Sequence, residues 1–496
     1  MKKTPEFLAE QKKTPYLTAY KKYMELHTAE FDVPGHHGAI RTDFDKVFTH
    51  VVYKYDINCP RGMDNIIHPT GPIKKAQDLF AKACGADYAK FLINGSTSGN
   101  IIMLLSTLKS KDKILLPRNV HKSVINGLVL SGAIPIFIMP DYDPRTEIVN
   151  QISFEKWKKT IDENPDAKAI FIINPTYYGA TCDLKKITAY AHEKGMVVLV
   201  DEAHGTHFYF SNKTPCTAMQ AGADMSTLSV HKTGGSLTQT SVLLVKGKRV
   251  QKEFVTKSFN LITTTSPNNM LLASLDAARK FLVFKGSEAI YNAIKLAEKT
   301  AKEINKIPGF IARNKAYFTK EMNTFDYDRT KLVIELDHMS ISGIELYKIL
   351  KDKYKIQMEL GETYILLALF TVGSKEKDSE RLIAALKKVS KKYYDEEIIE
   401  ENHKNFAEFP PMEVRPREAY HAPLKVVKLK NAVNKISKEM IMVYPPGIPL
   451  VIPGERITEE VINHISYYNK IKATIMSDYS STFEVAVIDE KKWHKD

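Results

Sequence analysis

Short apolar runs alternate with amphipathic stretches through the first half of the chain. From Ile73 to about residue 290 this alternation is typical of βαβ units, which build a mostly parallel sheet buried between helices. The pattern therefore predicts an α/β fold. The predicted strands are Ala89–Ile93, Lys113–Leu116, Ile134–Met139, Ala169–Ile173, Met196–Val200 and Ser241–Val245.

The pattern changes after a long predicted helical stretch, Leu271–Ile307. Shorter predicted elements follow: strands at Lys331–Leu336, Ile356–Leu360 and Thr363–Phe370, and a helix at Glu380–Tyr393. A charged segment, Glu396–Phe409, then precedes a Pro-rich region. We therefore predict an N-terminal arm (1–65), a large domain (66–300), a smaller α+β domain (301–395) and a C-terminal domain (396–496).

Length and composition support several domains and a soluble protein. The 496 residues exceed the ~250–300 that one core usually supports. Hydrophobic residues make up 44% of the chain, yet no apolar run approaches the ~20 residues of a membrane span. The basic N-terminus lacks the apolar region of a signal peptide. We therefore predict a cytoplasmic protein with no membrane partner.

Charge and cysteine content exclude other classes. The formal net charge is +13, but acidic residues accompany the lysines along the whole chain, so we predict no nucleic-acid partner. The four cysteines are far apart and form no Cys-x-x-Cys pair. The sequence therefore predicts no metal site.

Lys232 carries the strongest local chemical signal. It lies in Ser229–Gly235, where small residues flank it after an apolar run. A partly desolvated lysine amine loses its proton more easily, which is the condition for forming a Schiff base. Taken alone, Lys232 is equally compatible with an ordinary surface lysine.

Asp201 follows the predicted strand Met196–Val200 directly. In an open α/β sheet ligands bind beyond the carboxyl ends of strands, so this carboxylate faces a site. It can hold a pyridinium N–H, a metal or a ribose. The string Asp-Glu-Ala-His also occurs in helicases, but the Gly-x-x-x-x-Gly-Lys-[Ser/Thr] loop that they need is missing from this sequence.

Two further polar segments follow predicted strands. Asn94–Asn100 places small hydroxyl residues at a helix start, where backbone N–H groups and the helix dipole favour a phosphate, although simple N-capping explains it too. Pro117–Ser123 places His121 in a loop, where it can stack on a ring or be purely structural. A phosphate site, a loop histidine, an aspartate and a lysine at one sheet edge together indicate pyridoxal 5′-phosphate.

The sequence resembles the Orn/Lys/Arg decarboxylase family of fold-type-I pyridoxal-phosphate enzymes, in particular its short bacterial branch, which includes arginine decarboxylases. The resemblance runs from about Tyr16 to Ile465. The motifs that carry it are His68–Ile73, Asn94–Asn100, Arg118–Ser123, Asp201–Gly205, Ser229–Gly235, Thr263–Pro267, Arg415–Ala419 and Tyr444–Pro449.

The resemblance implies a role for each matching residue. Lys232 forms the Schiff base, Asp201 pairs with the ring nitrogen, and His121 stacks on the ring. Ala203 leaves room on the other ring face and His204 is a further contact beside the ring. The implied phosphate ligands are Ser96, Thr97, Ser229 and His231, with Thr264 and Ser266 reaching the phosphate of a neighbouring subunit. A homodimer or a higher homo-oligomer is therefore expected.

The resemblance also implies decarboxylation of a basic amino acid. Glu359 matches the position of a carboxylate near the distal cation, and Glu418 is a second acidic candidate. His231 or Lys232 is expected to protonate Cα. Arginine is the favoured substrate, with lysine and ornithine open, and the site alone also permits an aminotransferase, an aldolase or a non-catalytic relative. Asp32 and Asn58–Arg61 depart from the family pattern at the expected entrance to the substrate pocket.

Overall fold

The structure is a computed structural model, and it describes residues 3–29, 31–38, 40, 42–49, 51–398, 409–444, 448–471, 474–478 and 483–493. Most of the predicted link Glu396–Phe409, and the centre of the motif Tyr444–Pro449, lie outside the described residues. The chain divides into two compact units. The first comprises Met1–Ser106 and Leu199–Ile290, and the second comprises Thr107–Val198 and Tyr291–Asp496.

Strands of the first unit lie side by side in the order Tyr88–Leu92, Ser241–Val245, Met225–Leu228 and the end of Val197–Asp201. Ser241–Val245 runs antiparallel to both of its neighbours, whereas Met225–Leu228 and Val197–Asp201 are parallel. Met225–Leu228 was not among the predicted strands. Its central Ser-Thr pair interrupts the apolar pattern, although all four residues are buried.

Helices of the first unit begin and end at recognisable signals. Pro72–Cys84 starts on a proline and ends at Gly85, which is left-handed with φ +72°. The predicted long helical stretch is observed as Asn269–Phe281, a π turn at Leu282–Gly286 and Ser287–Ile304, which crosses into the second unit. The other helices are Pro5–Gln11, Pro15–Glu25, Asp45–Phe48, Val51–Tyr55, Gly95–Thr107, Ala218–Ala221, Val230–Thr233 and Lys252–Ile262, with a 3-10 turn at Thr206–Phe210.

The beginning of the predicted N-terminal arm is anchored to the first unit. Tyr16 is fully buried, and its backbone N–H donates to Asp276 at 2.9 Å. The side-chain amide of Gln11 donates to the carbonyl of Leu79, and Arg279 donates to the carbonyl of Gln11. These residues therefore belong to the packed core of the unit.

The strands of the second unit belong to several sheets. Lys113–Pro117 lies between Ile134–Ile138 and Ala169–Ile173 and is parallel to both. The other strands form antiparallel sheets, listed here in spatial order: Leu360–Gly361, Ile365–Leu369, Lys331–Leu336 and Phe310–Arg313; Ile448–Val451, Ile441–Tyr444 and Thr474–Met476; Leu424–Lys428 and Glu484–Ile488; Asp326–Tyr327 and Ala180–Thr181. The predicted strand Ile356–Leu360 is reduced to Leu360–Gly361.

Helices of the second unit are amphipathic and carry their buried residues at three- and four-residue spacing, as Leu382, Ala385, Leu386 and Val389 do. They are Lys122–Ser131, Phe154–Glu163, Leu184–Glu193, Gly343–Tyr354, Glu376–Tyr393, Pro416–His421 and Glu459–Lys470, with short turns at Tyr317–Glu321 and Leu429–Asn431. The predicted domain boundaries at residues 65, 300 and 395 stay a prediction.

Within the described ranges, no helix has both the length and the apolar character needed to cross a membrane. Likewise, in the part of the chain that the structure describes, no group of three or more His, Cys, Asp or Glu side chains is placed to hold a metal ion.

Candidate active site

Lys232 lies on a one-turn helix, Val230–Thr233, immediately after the strand Met225–Leu228. The turn packs closely, since a Cβ on Gly234 would lie 2.9 Å from the carbonyl oxygen of Val230. Lys232 Nζ is 3.0 Å from His204 Nε2. Because a hydrogen bond needs one donor and one acceptor, one of these two nitrogens lacks a proton at the contact, and the pair can pass a proton between them.

Asp201 is the last residue of the strand Val197–Asp201, and only 6% of its surface is exposed. Its Oδ1 accepts the backbone N–H of Ala203 at 2.9 Å, and its Oδ2 accepts the side-chain amide of Asn100 at 2.8 Å. The two donors hold different oxygens and thereby fix the plane of the carboxylate. This arrangement suits a carboxylate that holds a protonated ring nitrogen.

Ser96 and Thr97, two of the predicted phosphate ligands, lie at the start of the helix Gly95–Thr107. Ser96 Oγ lies 2.8 Å from Ser229 Oγ and 3.4 Å from Ser241 Oγ, and Thr97 follows on the same turn. Gly95 is left-handed with φ +68°, a conformation that glycine adopts without strain. Helix N–H groups and serine hydroxyls thus gather where an anion is favoured.

His231 precedes Lys232 and is half-buried. Burial lowers its pKa, the Lys232 charge acts in the same direction, and the Thr240 carbonyl acts against both. His231 Nδ1 lies 2.8 Å from that carbonyl and must therefore carry a proton. The neutral ring is favoured, and its Nε2 can accept a proton or a hydrogen bond.

Glu202 is a buried carboxyl beside Asp201 that sequence reasoning missed. It accepts the Ser226 hydroxyl at 2.7 Å, the Ala218 N–H at 2.9 Å and the Tyr209 hydroxyl at 2.5 Å. Burial raises the pKa of Glu202 to about 7, with the Asp201 charge adding to the effect. Asn100 was missed too: it ends the motif Asn94–Asn100, but the pattern gave it no partner.

Thr264 and Ser266 lie in an exposed loop after the helix Lys252–Ile262. Their described hydrogen bond, from Ser266 N–H to Thr264 Oγ1 at 3.1 Å, is internal to the loop. A contact to a neighbouring subunit's phosphate stays a prediction for both residues.

His121 belongs to the second unit and caps the helix Lys122–Ser131. Its Nδ1 accepts the Ser123 N–H at 3.2 Å and contacts the Ser123 hydroxyl at 2.8 Å. In the neutral ring the proton then lies on Nε2. The ring is exposed, and its stacking on a cofactor ring stays a prediction.

The two candidate substrate carboxylates differ in their surroundings. Glu359 is exposed, and its Oε1 accepts the Tyr177 hydroxyl at 2.5 Å. Glu418 is paired with Arg415, whose Nε donates to it at 2.9 Å. A substrate cation would have to compete with Arg415 for Glu418. Glu359 is therefore the better candidate, and the Glu418 role stays a prediction.

Residues 14–378 match the major domain of the Orn/Lys/Arg decarboxylase family, and residues 399–477 match its C-terminal domain. The chain belongs to this family and is a decarboxylase, as the motifs predicted. It is 38% identical to the arginine decarboxylase of Bacillus subtilis over 97% of this chain and 99% of that protein. It is 40% identical to the arginine decarboxylase of Bacillus anthracis over 92% of this chain and 93% of that protein.

The fold is also similar to solved lysine decarboxylases. The Francisella novicida enzyme matches with a TM-score of 0.82 and 20% identity, over 96% of this chain and 81% of that chain. The constitutive Escherichia coli enzyme matches with a TM-score of 0.81 and 20% identity, over 96% and 82%. These matches confirm the predicted fold class: a fold-type-I α/β large domain, a smaller α+β domain and a C-terminal domain.

Family membership makes pyridoxal 5′-phosphate the cofactor, and the residues of the first unit fit it. Ser96, Ser229 and a helix N-terminus suit the phosphate, Asp201 suits the ring nitrogen, and Lys232 supplies an amine. The cofactor prediction is therefore confirmed.

Proposed function

We propose that the protein decarboxylates L-arginine to agmatine and carbon dioxide. The observation that carries this proposal is the identity of 37–40% to four arginine decarboxylases, each matched over at least 90% of this chain and 93% of its own length. The lysine decarboxylases among the relatives are only 21–25% identical. Lysine or ornithine is the second candidate substrate.

The site residues support this chemistry. Bound pyridoxal phosphate supplies a carbonyl that an amine can join and a ring that accepts the electrons left when carbon dioxide departs. Lys232 provides the first amine, and His204 at 3.0 Å exchanges a proton with its Nζ. Asp201 would keep the ring nitrogen protonated, and Ser96, Thr97, Ser229 and His231 would hold the phosphate. Lys232 or His231 then delivers a proton to Cα.

Glu359 is the residue that we expect to bind the distal cation of the substrate. Arginine presents a planar fork of N–H donors that a carboxylate can bind through both oxygens. The Tyr177 hydroxyl occupies Oε1 from one side and thereby orients the group. Retention of Lys232 with Asp201 argues against a non-catalytic relative.

We also propose a homodimer in the cytoplasm that serves polyamine biosynthesis through agmatine. Its support is a set of exposed apolar side chains in the N-terminal part of the first unit, with Phe31 at 96% exposure. Exposed apolar patches of this kind mark protein contacts. The other residues of the set are Leu26, Val33, Ile40, Val47, Phe48 and Val51.

The test of the activity is an assay of carbon dioxide and amine release from arginine, lysine and ornithine. Arginine is expected to give the highest kcat/KM, with agmatine as product. Faster turnover of lysine or ornithine would overturn the assignment of arginine as the substrate, and a keto-acid product would indicate an aminotransferase. Borohydride reduction and peptide mapping are expected to locate the pyridoxyl group on Lys232; a colourless, unlabelled protein would support a non-catalytic relative.

The dimer has its own test. Lys232→Ala is mixed with a Thr264→Ala/Ser266→Ala variant, and activity is expected to return in hybrids that contain one intact site. Hybrids that form without activity would mean that the loop acts within its own chain.

A further inference from the structure

Asn100 contacts the carboxylate that the proposed function assigns to the cofactor ring. It lies on the first turns of the helix Gly95–Thr107, is 1% exposed, and donates from Nδ2 to Asp201 Oδ2 at 2.8 Å. We propose that Asn100 is a positioning residue that fixes the Asp201 carboxylate against the cofactor's ring nitrogen. This inference rests on the proposed function.

Close packing of the helix explains why Asn100 reaches Asp201. A Cβ on Gly99 would lie 2.1 Å from Thr227 Oγ1 and 2.8 Å from Thr227 Cβ, so the helix approaches the strand Met225–Leu228 more closely than any larger residue permits. Thr227 is also the register partner of Asp201 on the neighbouring strand. A helix that touches Thr227 through Gly99 therefore brings the next residue, Asn100, to the end of the Asp201 strand.

The two donors to Asp201 act on different oxygens. The Ala203 N–H occupies Oδ1, and the Asn100 amide occupies Oδ2. With both oxygens held, the carboxylate cannot rotate about its Cβ–Cγ bond without breaking a hydrogen bond. Loss of the Asn100 donor frees this rotation and removes one of the two hydrogen bonds that hold the buried carboxylate. A ring nitrogen paired with such a carboxylate keeps its proton less firmly.

The same helix also carries the phosphate end of the site. Ser96, one turn before Asn100, contacts Ser229 next to the Lys232 turn. One rigid element therefore sets the distance between the phosphate site and the Asp201 carboxylate. Asn100 is the residue that connects this element to the carboxylate.

The first experiment replaces Asn100 by leucine, which has similar size but no donor. Ser106→Ala is the matched control, because Ser106 is a buried polar residue of the same helix whose hydroxyl donates to the Met103 carbonyl. For Asn100→Leu we expect kcat to fall by about tenfold or more, as for loss of a hydrogen bond to a charged group. KM for arginine should stay within about twofold, because the distal cation is held elsewhere. The pH titration of the visible absorbance should shift, and Ser106→Ala should show neither change.

A double-mutant cycle tests whether Asn100 acts through Asp201. In an Asp201→Asn background the further loss caused by Asn100→Leu should fall to less than about twofold. A full tenfold loss in that background would overturn the inference, because a structural role of Asn100 does not depend on the Asp201 charge.

Asn100→Asp keeps the shape and provides a second variant should the leucine variant fold poorly. The introduced carboxyl repels Asp201 when it is ionised, but when protonated it can donate the same hydrogen bond. The ratio of variant to wild-type kcat should therefore rise as the pH falls, and a ratio independent of pH would contradict the inference. Wild-type protein without a pyridoxyl label at Lys232 would overturn the proposed function itself, whereas labelled variants without coupling to Asp201 would overturn only the role of Asn100.

Discussion

Each of the two units holds a pair of carboxyl groups that are close in the sequence, and the proposed function assigns one member of each pair to a ligand. In the first unit the pair is Asp201 and Glu202; in the second it is Glu359 and Glu362. Asp201 is buried and held by an amide and a backbone N–H, whereas Glu359 is exposed and held by one tyrosine hydroxyl.

The second members of the two pairs are alike. Glu202 accepts the Tyr209 hydroxyl, and Glu362 accepts the Tyr178 hydroxyl at 2.8 Å from each oxygen. Burial raises their pKa values to about 7 and about 8. The contrast therefore lies in Asp201 and Glu359, the two carboxylates that the proposed function assigns to ligands. A cofactor that stays bound suits a rigid, buried partner, and a substrate that enters and leaves suits an exposed one.

The largest expected effect comes from removing the charge of the buried carboxylate Asp201. Asp201→Asn should lower kcat/KM by at least ~10²-fold, because a neutral amide no longer favours a protonated ring nitrogen. The isosteric side chain should leave the melting temperature within a few degrees of that of the wild type. Activity within a few-fold of wild type would remove Asp201 from the mechanism and with it the contrast between the units.

The raised pKa values of Glu202 and Glu362 predict a pH dependence of stability. The pKa of Glu202 rises on folding from an ordinary 4.5 to about 7, so the folded state binds more protons between these values. The proton on Glu202 therefore stabilises the folded state. This stabilisation is complete below pH 4.5, is lost as the pH rises through 7, and amounts to at most about 3 kcal/mol. Glu202→Gln should therefore gain stability relative to wild type between pH 5 and pH 8 in urea unfolding.

Glu362→Gln is the matched variant in the second unit, and its window extends to about pH 8. A Glu202→Gln variant whose stability relative to wild type does not change with pH would mean that the buried carboxyl is ionised throughout this range.

Strand ends and short motifs were predictable from the sequence, because they depend on residues close together in the chain. Asp201 lies at the end of a predicted strand, and Lys232 follows an apolar run as the sequence indicated, although the strand Met225–Leu228 in that run was not predicted. Asn100 and Glu202 were not predictable, because their partners depend on how tightly Gly99 packs on Thr227 and on how the chain turns after Asp201 to bring Glu202 to the Ala218 N–H. The pair of Arg415 and Glu418 could have been found from its three-residue spacing at a helix start.

The smallest expected effect concerns the exposed carboxylate. Glu359→Gln should raise KM for arginine by about 2–5-fold and leave kcat nearly unchanged, since exposed ion pairs contribute ~0.2–1 kcal/mol. Glu362→Gln is the control, three residues away. In the wild type the Glu362 carboxyl accepts the Tyr178 hydroxyl, so this substitution should leave KM within about twofold. An unchanged KM in Glu359→Gln would remove Glu359 from the substrate site. A rise beyond about 50-fold would mean that arginine binding buries Glu359, so that the substrate carboxylate works under the same desolvated conditions as Asp201.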